Sequence, residues 1–102
     1  NLPLGAVVET NAVFRDGSLE PVFAGPIPQS IYPLVTRIVG EQEILARACA
    51  NRDWKLAFQA FVNDPLVNLL LDQAKDLFIK MVQNTKNYLQ EYDVEVLNKE
   101  ML

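Results

Sequence analysis

The chain has 102 residues, half of them apolar, with 13 acidic against 9 basic side chains and a net charge of −4. That is one domain at most, of ordinary globular balance, and too apolar for an intrinsically disordered segment. No cluster of Lys and Arg exists to neutralise phosphates, so nucleic acid and anionic membrane surfaces are excluded as partners, and no stretch approaches the ~18 continuous apolar residues of a membrane span.

The first seventeen residues, NLPLGAVVETNAVFRDG, lack an initiator Met and enter a strand almost at once. This opening reads as a chain cut from something larger. Ala6 to Arg15, rich in Val, Thr and Phe, and Leu19 to Ala24 are expected to pair as a hairpin. Between them, Asp16-Gly17 is a strong two-residue turn signal, because such turns require φ > 0. Val8, Thr10, Ala12 and Phe14 share the more apolar face of the first strand, which is the face expected to be buried. Gly25, Pro26 and Pro28 then end the strand.

The remainder reads as helical. Ser30 is positioned to cap a helix running to about Val39, with Pro33 in its first turn and Gly40 as an interruption or kink. Ile44, Leu45, Ala48 and Cys49 continue at helical spacing. Asn51 to Asp53 breaks that helix, and Asp53 is a suitable N-cap for the next. There Trp54, Ala57, Phe58, Phe61 and Val62 fall on one face as core. Pro65 stops it, since proline disfavours a helical residue before it. Asp72 is expected to cap the longest helix, whose apolar stripe runs from Ala74 through Phe78 and Val82 to Leu89 and Tyr92. The distal part of that stripe, from Tyr88 on, is expected to lack a cover within the chain and to suit a dimer contact. The fold class is therefore α+β: an N-terminal β-hairpin followed by about four helices, with residues 1–92 as the domain and 93–102 as a tail or helix extension.

Two strands alone are marginal in water and leave unpaired edges on both sides. The expected remedy is that neighbouring strands are encoded upstream.

Catalytic signals are sparse. There is no histidine, so the commonest general base and metal ligand are missing, and the single cysteine excludes an internal disulfide and suits a reducing cytoplasm. Cys49 has no basic neighbour in sequence and reads as a buried inert thiol. Glu41 and Glu43, two apart on a helix, diverge and cannot act as a pair, and with Glu9 they read as surface charges. Gly5, Gly17, Gly25 and Gly40 are too scattered for a phosphate-cradling loop.

Taken in order, several stretches resemble the C-terminal region of family 4 glycoside hydrolases. They are the Asn-Leu-Pro step at Asn1–Pro3, the V-V-E strand at Val7–Glu9 and the Gly-x-Ile-Pro turn at Gly25–Pro28. A Glu-containing helix follows, then Ala-Phe-Gln-Ala-Phe at Ala57–Phe61 and Pro-Leu-Val at Pro65–Val67. The resemblance extends from Asn1 to about Val82. Asp64 before Pro-Leu-Val looks like the α-galactosidase and α-galacturonidase branch, where the 6-phosphoglycosidase branch usually has His.

The resemblance implies a parent enzyme with a Rossmann domain and a lactate-dehydrogenase-like C-terminal part, of which this chain is a portion. It implies NAD+ and Mn2+ for that parent, with redox-elimination chemistry at the sugar. Tyr32, Tyr88 and Tyr92 do not match the position of the family's Tyr base, nor Cys49 that of its metal ligand. No catalytic, cofactor-binding or metal residue carries over, and no cofactor is expected in this chain.

Two readings follow. In one, the chain is the structural, catalytically silent C-terminal fragment of a cytoplasmic glycosidase, with the upstream catalytic domain of the same polypeptide as its partner and a homo-oligomer as its assembly. In the other, it is a stand-alone helical interaction module that pairs through its hairpin edge.

Overall fold

The computed structural model describes residues 1–100, except for the side chains of Asn98 and Glu100. Residues 101–102 of the expected tail lie outside the described residues. In chain order the elements are β1 (Ala12–Arg15), β2 (Ser18–Pro21), α1 (Tyr32–Asn51), α2 (Trp54–Asn63), α3 (Leu71–Thr85), a 3₁₀ turn (Lys86–Tyr88) and α4 (Val94–Glu100). The α+β expectation of a hairpin followed by four helices is met. The chain forms two compact units, Asn1–Val39 and the residues from Gly40 on.

In the first unit, β1 and β2 form a two-stranded antiparallel sheet in the register Ala12↔Pro21, Val13↔Glu20, Phe14↔Leu19, Arg15↔Ser18. The turn is the one Asp16-Gly17 calls for, with φ of 50° and 79°. Both residues left-handed is the turn whose twist matches that of paired strands. The strands are shorter than the alternation suggests. Before Asn11 and after Val22 the two arms continue without a ladder. Their far ends meet where the Asn1 side chain both donates to the Ile27 carbonyl at 2.9 Å and accepts from its N–H at 2.8 Å. The Ala12/Phe14 face, expected to be buried, is exposed: Phe14 is 85% accessible.

Helix α1 runs without interruption through Gly40, against the expected break. One glycine costs a helix interior only about 1 kcal/mol relative to Ala, which nineteen other helical residues override. Its C-terminus is a Schellman motif. Arg52 takes the left-handed conformation at φ 56°, while Asp53 N–H bonds Ala48 C=O and Arg52 N–H bonds Cys49 C=O.

Asp53 then caps α2 as expected, its carboxylate accepting from Leu56 N–H at 2.9 Å. At the other end Asp64 is extended before Pro65, and its carboxylate accepts from Leu66 N–H at 2.8 Å.

Helix α3 begins two residues earlier than a cap at Asp72 implies and has Leu70 at its N-cap. Gln73 accepts from the Leu70 N–H, while Asp72 lies in the first turn, where the helix dipole favours its charge. It also ends earlier. The Thr85 hydroxyl donates to the carbonyls of Met81 and Val82, and the chain tightens into the 3₁₀ turn at Lys86–Tyr88.

The helical unit builds its own core from Trp54, Phe78, Val82 and Leu97, with Phe58, Phe61, Leu89 and Tyr92 packed against it. The Trp54 and Phe58 face expected to be core is core. Trp54 meets Phe78 edge-on at 6.4 Å between ring centroids, and Phe58 and Phe61 both tilt onto Phe78 within 5.5 Å. The expected stripe splits. Ala74, Phe78 and Val82 are buried, whereas Leu77 and Met81 are 41% and 49% exposed. Leu89 and Tyr92, expected to lack cover within the chain, are brought back onto this core by the turn after α3; Tyr88 stays exposed. The segment after Asp93 is the helix α4, and its Leu97 is fully buried.

Candidate functional site

No catalytic constellation forms among the described residues. Glu43 is engaged by Arg47 at 3.1 Å, one turn along the same exposed helix face. Glu9 is exposed on the first arm of the hairpin unit. Cys49 is exposed, not buried as expected: it lies near the C-terminal end of α1, on the rim of an apolar notch of about 160 Å³ that Trp54, Phe78, Val82 and Leu89 line. Ala48, one position earlier, faces the core in its place and is 2% exposed. Above the notch the Tyr92 hydroxyl donates to the Cys49 carbonyl at 3.1 Å, and the Arg52 guanidinium lies 6.0 Å from the Tyr92 ring centroid.

The hairpin exposes apolar side chains to water, Phe14 and Leu19 among them. All eight strand residues are exposed. The register and the hydrogen-bond alternation of the ladder determine what each face and edge offers. Val22 N–H donates to Asn11 C=O at 2.7 Å, which makes Asn11–Val22 a hydrogen-bonded pair. Pairs alternate in an antiparallel ladder, so Val13–Glu20 and Arg15–Ser18 are bonded, and Ala12–Pro21 and Phe14–Leu19 are not. Ala12, Phe14, Leu19 and Pro21 therefore share one wholly apolar face, while Val13, Arg15, Ser18 and Glu20 share the other.

Between the arms, next to the ladder, lies an open cleft of about 540 Å³ lined by Pro3, Val8, Thr10, Val22, Phe23 and Ile27. Thr10 spans it, its hydroxyl donating to the Val22 carbonyl at 2.7 Å, and the Asn1–Ile27 pair closes its end. Gly5, at φ 92°, makes the turn that sends the first arm along the cleft, with Ala6 N–H bonded to Pro3 C=O. The clamp by Asn1 escaped the sequence reading, because nothing local marks a contact spanning 26 residues.

Among the described residues no three of His, Cys, Asp and Glu gather to hold a metal ion. A Cβ added at any of the four glycines would meet nothing within 4 Å, so no glycine marks a close approach of backbone to a bound group. Among the described residues the donors are too dispersed to hold a divalent metal. No helix of the described residues is long and apolar enough to cross a membrane.

Comparison with known proteins places the chain. Residues 1–67, which cover the hairpin unit, α1 and α2, match the model of the family 4 glycosyl hydrolase C-terminal domain. An alpha-galacturonidase of Thermoanaerobacterium saccharolyticum is 49% identical over 94 residues, which is 92% of this chain and 20% of that protein. An alpha-galacturonidase of Bacillus subtilis is 42% identical, over 81% of this chain and 19% of its own length. One of Thermoanaerobacter italicus is 38% identical, over 82% of this chain and 19% of its own length. The chain thus spans about a fifth of the length of these relatives. No solved structure gives a significant match. The chain belongs to the family 4 glycosyl hydrolases, whose C-terminal domain it carries.

Proposed function

We propose that this domain is the C-terminal scaffold of a cytoplasmic glycosidase acting on α-galacturonides, with the reaction itself carried by the polypeptide that precedes it. The identity of 49% to an alpha-galacturonidase, and Asp64 before Pro-Leu-Val, support the substrate class. One structural observation carries the scaffold role: Ala12, Phe14, Leu19 and Pro21 form one wholly apolar face of the hairpin that stands exposed, with Phe14 85% accessible. Exposed apolar surface of that kind is a contact surface in a larger molecule.

In this reading NAD+ and Mn2+ belong to the preceding part; in support, no three of His, Cys, Asp and Glu gather among the described residues of this chain. What this chain contributes is a rigid backing and a docking face.

The test is an assay of the full polypeptide against nitrophenyl α-galacturonide with NAD+, Mn2+ and a thiol reductant. The full polypeptide turns the substrate over and this chain alone does not. Preference for a 6-phosphoglucoside overturns the substrate class, and turnover by the isolated chain overturns the scaffold role.

A further inference from the structure

The two edges of the hairpin are not equivalent, and the difference selects which one can accept another strand. Alternation of the ladder sends the main-chain groups of Asn11, Val13, Arg15, Ser18, Glu20 and Val22 inward between the strands. The outer edge of β1 therefore presents the N–H and C=O groups of Ala12 and Phe14, and the outer edge of β2 those of Leu19 and Pro21. Proline has no N–H. The β2 edge is thus broken as a donor at Pro21, the position at which natural sheets end. The β1 edge is intact, with a donor and an acceptor at both Ala12 and Phe14. It also borders the apolar Phe14–Leu19 face, so a strand added there extends that face.

We infer that the outer edge of β1 receives a strand from the preceding part of the same polypeptide, which continues the sheet and covers the face carrying Phe14 and Leu19, while β2 is the outer edge of the completed sheet. The occupant follows from length: the relatives extend the chain about fivefold, so one covalently attached source supplies both strand and cover. An attached strand has a high effective concentration, which a second copy or a separate protein lacks. This inference rests on the reading of the chain as the end of a longer glycosidase.

Amide hydrogen exchange, compared between the full polypeptide and this chain, reads the edge directly. The Ala12 and Phe14 amides exchange at least about a hundredfold more slowly in the full polypeptide, because a ladder bond must open before exchange. The Leu19 amide exchanges fast in both. Protection of Leu19 with fast exchange at Ala12 and Phe14 overturns the choice of edge. Protection of Ala12 and Phe14 in the isolated chain that grows with its concentration overturns the choice of occupant in favour of a second copy. A variant gives an independent arm. Ala12→Pro removes the outward N–H and spares the bonds to β2, so the Glu20 and Val22 amides of the isolated chain keep their exchange rates while the Phe14 amide of the full polypeptide loses at least tenfold of its protection. Unchanged Phe14 protection in that variant also overturns the inference. Exchange is independent of which sugar is cleaved, so loss of galacturonide turnover with Ala12 and Phe14 protected would reject the assigned substrate and leave the edge standing.

Discussion

The indole N–H of Trp54 donates to the main-chain carbonyl of Asp93 at 3.0 Å, and the carboxylate of the same Asp93 accepts from Glu95 and Val96 N–H at 3.0 and 3.2 Å. One residue thus ties the start of α2 to the start of α4 and caps α4 as well. Trp54→Phe keeps the ring contact with Phe78 but leaves the Asp93 carbonyl without its donor. The expected loss is about 1–3 kcal/mol, against about 3–5 kcal/mol for Trp54→Ala, which also opens a cavity. Urea unfolding of the two variants followed by far-ultraviolet circular dichroism measures the gap; no loss in Trp54→Phe would show that the hydrogen bond contributes nothing, and equal losses that the ring contributes nothing beyond it.

Removing the cap tests the other half of the same arrangement. Asp93→Ala is expected to cost about 1 kcal/mol, and Asp93→Asn, whose amide oxygen still accepts, a few tenths. Leu97→Ala acts on α4 from its buried side and is expected to cost about 2–5 kcal/mol, since Leu97 is 0% exposed. Should Leu97→Ala prove as mild as a surface change in the same unfolding experiment, α4 is not part of the core.

What the sequence shows of this arrangement is uneven, and the reasons are local. Asp53, Asp16-Gly17 and Pro65 each act within four residues, so their caps and turns are legible without the fold. The Trp54 to Phe61 stripe is legible because a ten-residue helix has one face to bury. The extent of α3 is not, since Thr85 ends it without a glycine or proline and the stripe continues past the bend. The exposure of Cys49 is not legible, because Ala48 and Cys49 are apolar neighbours on one helix and only the fold decides that Ala48, at 2% exposed, is the one buried. The hairpin face was misread for a different reason. Its pattern is that of a buried face, and an alternation of apolar residues marks which side chains share a face without saying what lies over them. The family membership, by contrast, was legible in the order of short motifs, while the Asn1–Ile27 clamp among them was not.

The Schellman turn at Arg52 separates backbone cost from side-chain gain. A non-glycine residue at φ 56° carries about 1 kcal/mol of strain, and Arg52 offsets it only weakly, through an exposed pair with Glu91 at 3.2 Å and its contact with Tyr92. Arg52→Gly is expected to be more stable than Arg52→Ala by about 1 kcal/mol, because both lose the guanidinium and only Ala keeps the strain. Equal midpoints for the two variants in urea would mean that Arg52 is not held left-handed in solution.

The turn at the tip of the hairpin allows a last test, of the edge on which docking depends. Gly17 sits at φ 79° with open space around its Cα, so Gly17→Ala meets no neighbour and its effect is purely that of backbone conformation. The expected cost of about 1 kcal/mol falls on the hairpin alone, since the Trp54 core lies in the helical unit. In the isolated chain the Glu20 and Val22 amides, which bond to β1, should then exchange about fivefold faster, while the unfolding midpoint of the helical unit stays in place. In the full polypeptide the same substitution should be muted, because strand addition at Ala12 and Phe14 holds β1 from its other side. A uniform slowing or an unchanged rate at Glu20 and Val22 would mean that the Asp16-Gly17 turn does not set the hairpin, and the alternation that directs Ala12 and Phe14 outward would lose its anchor.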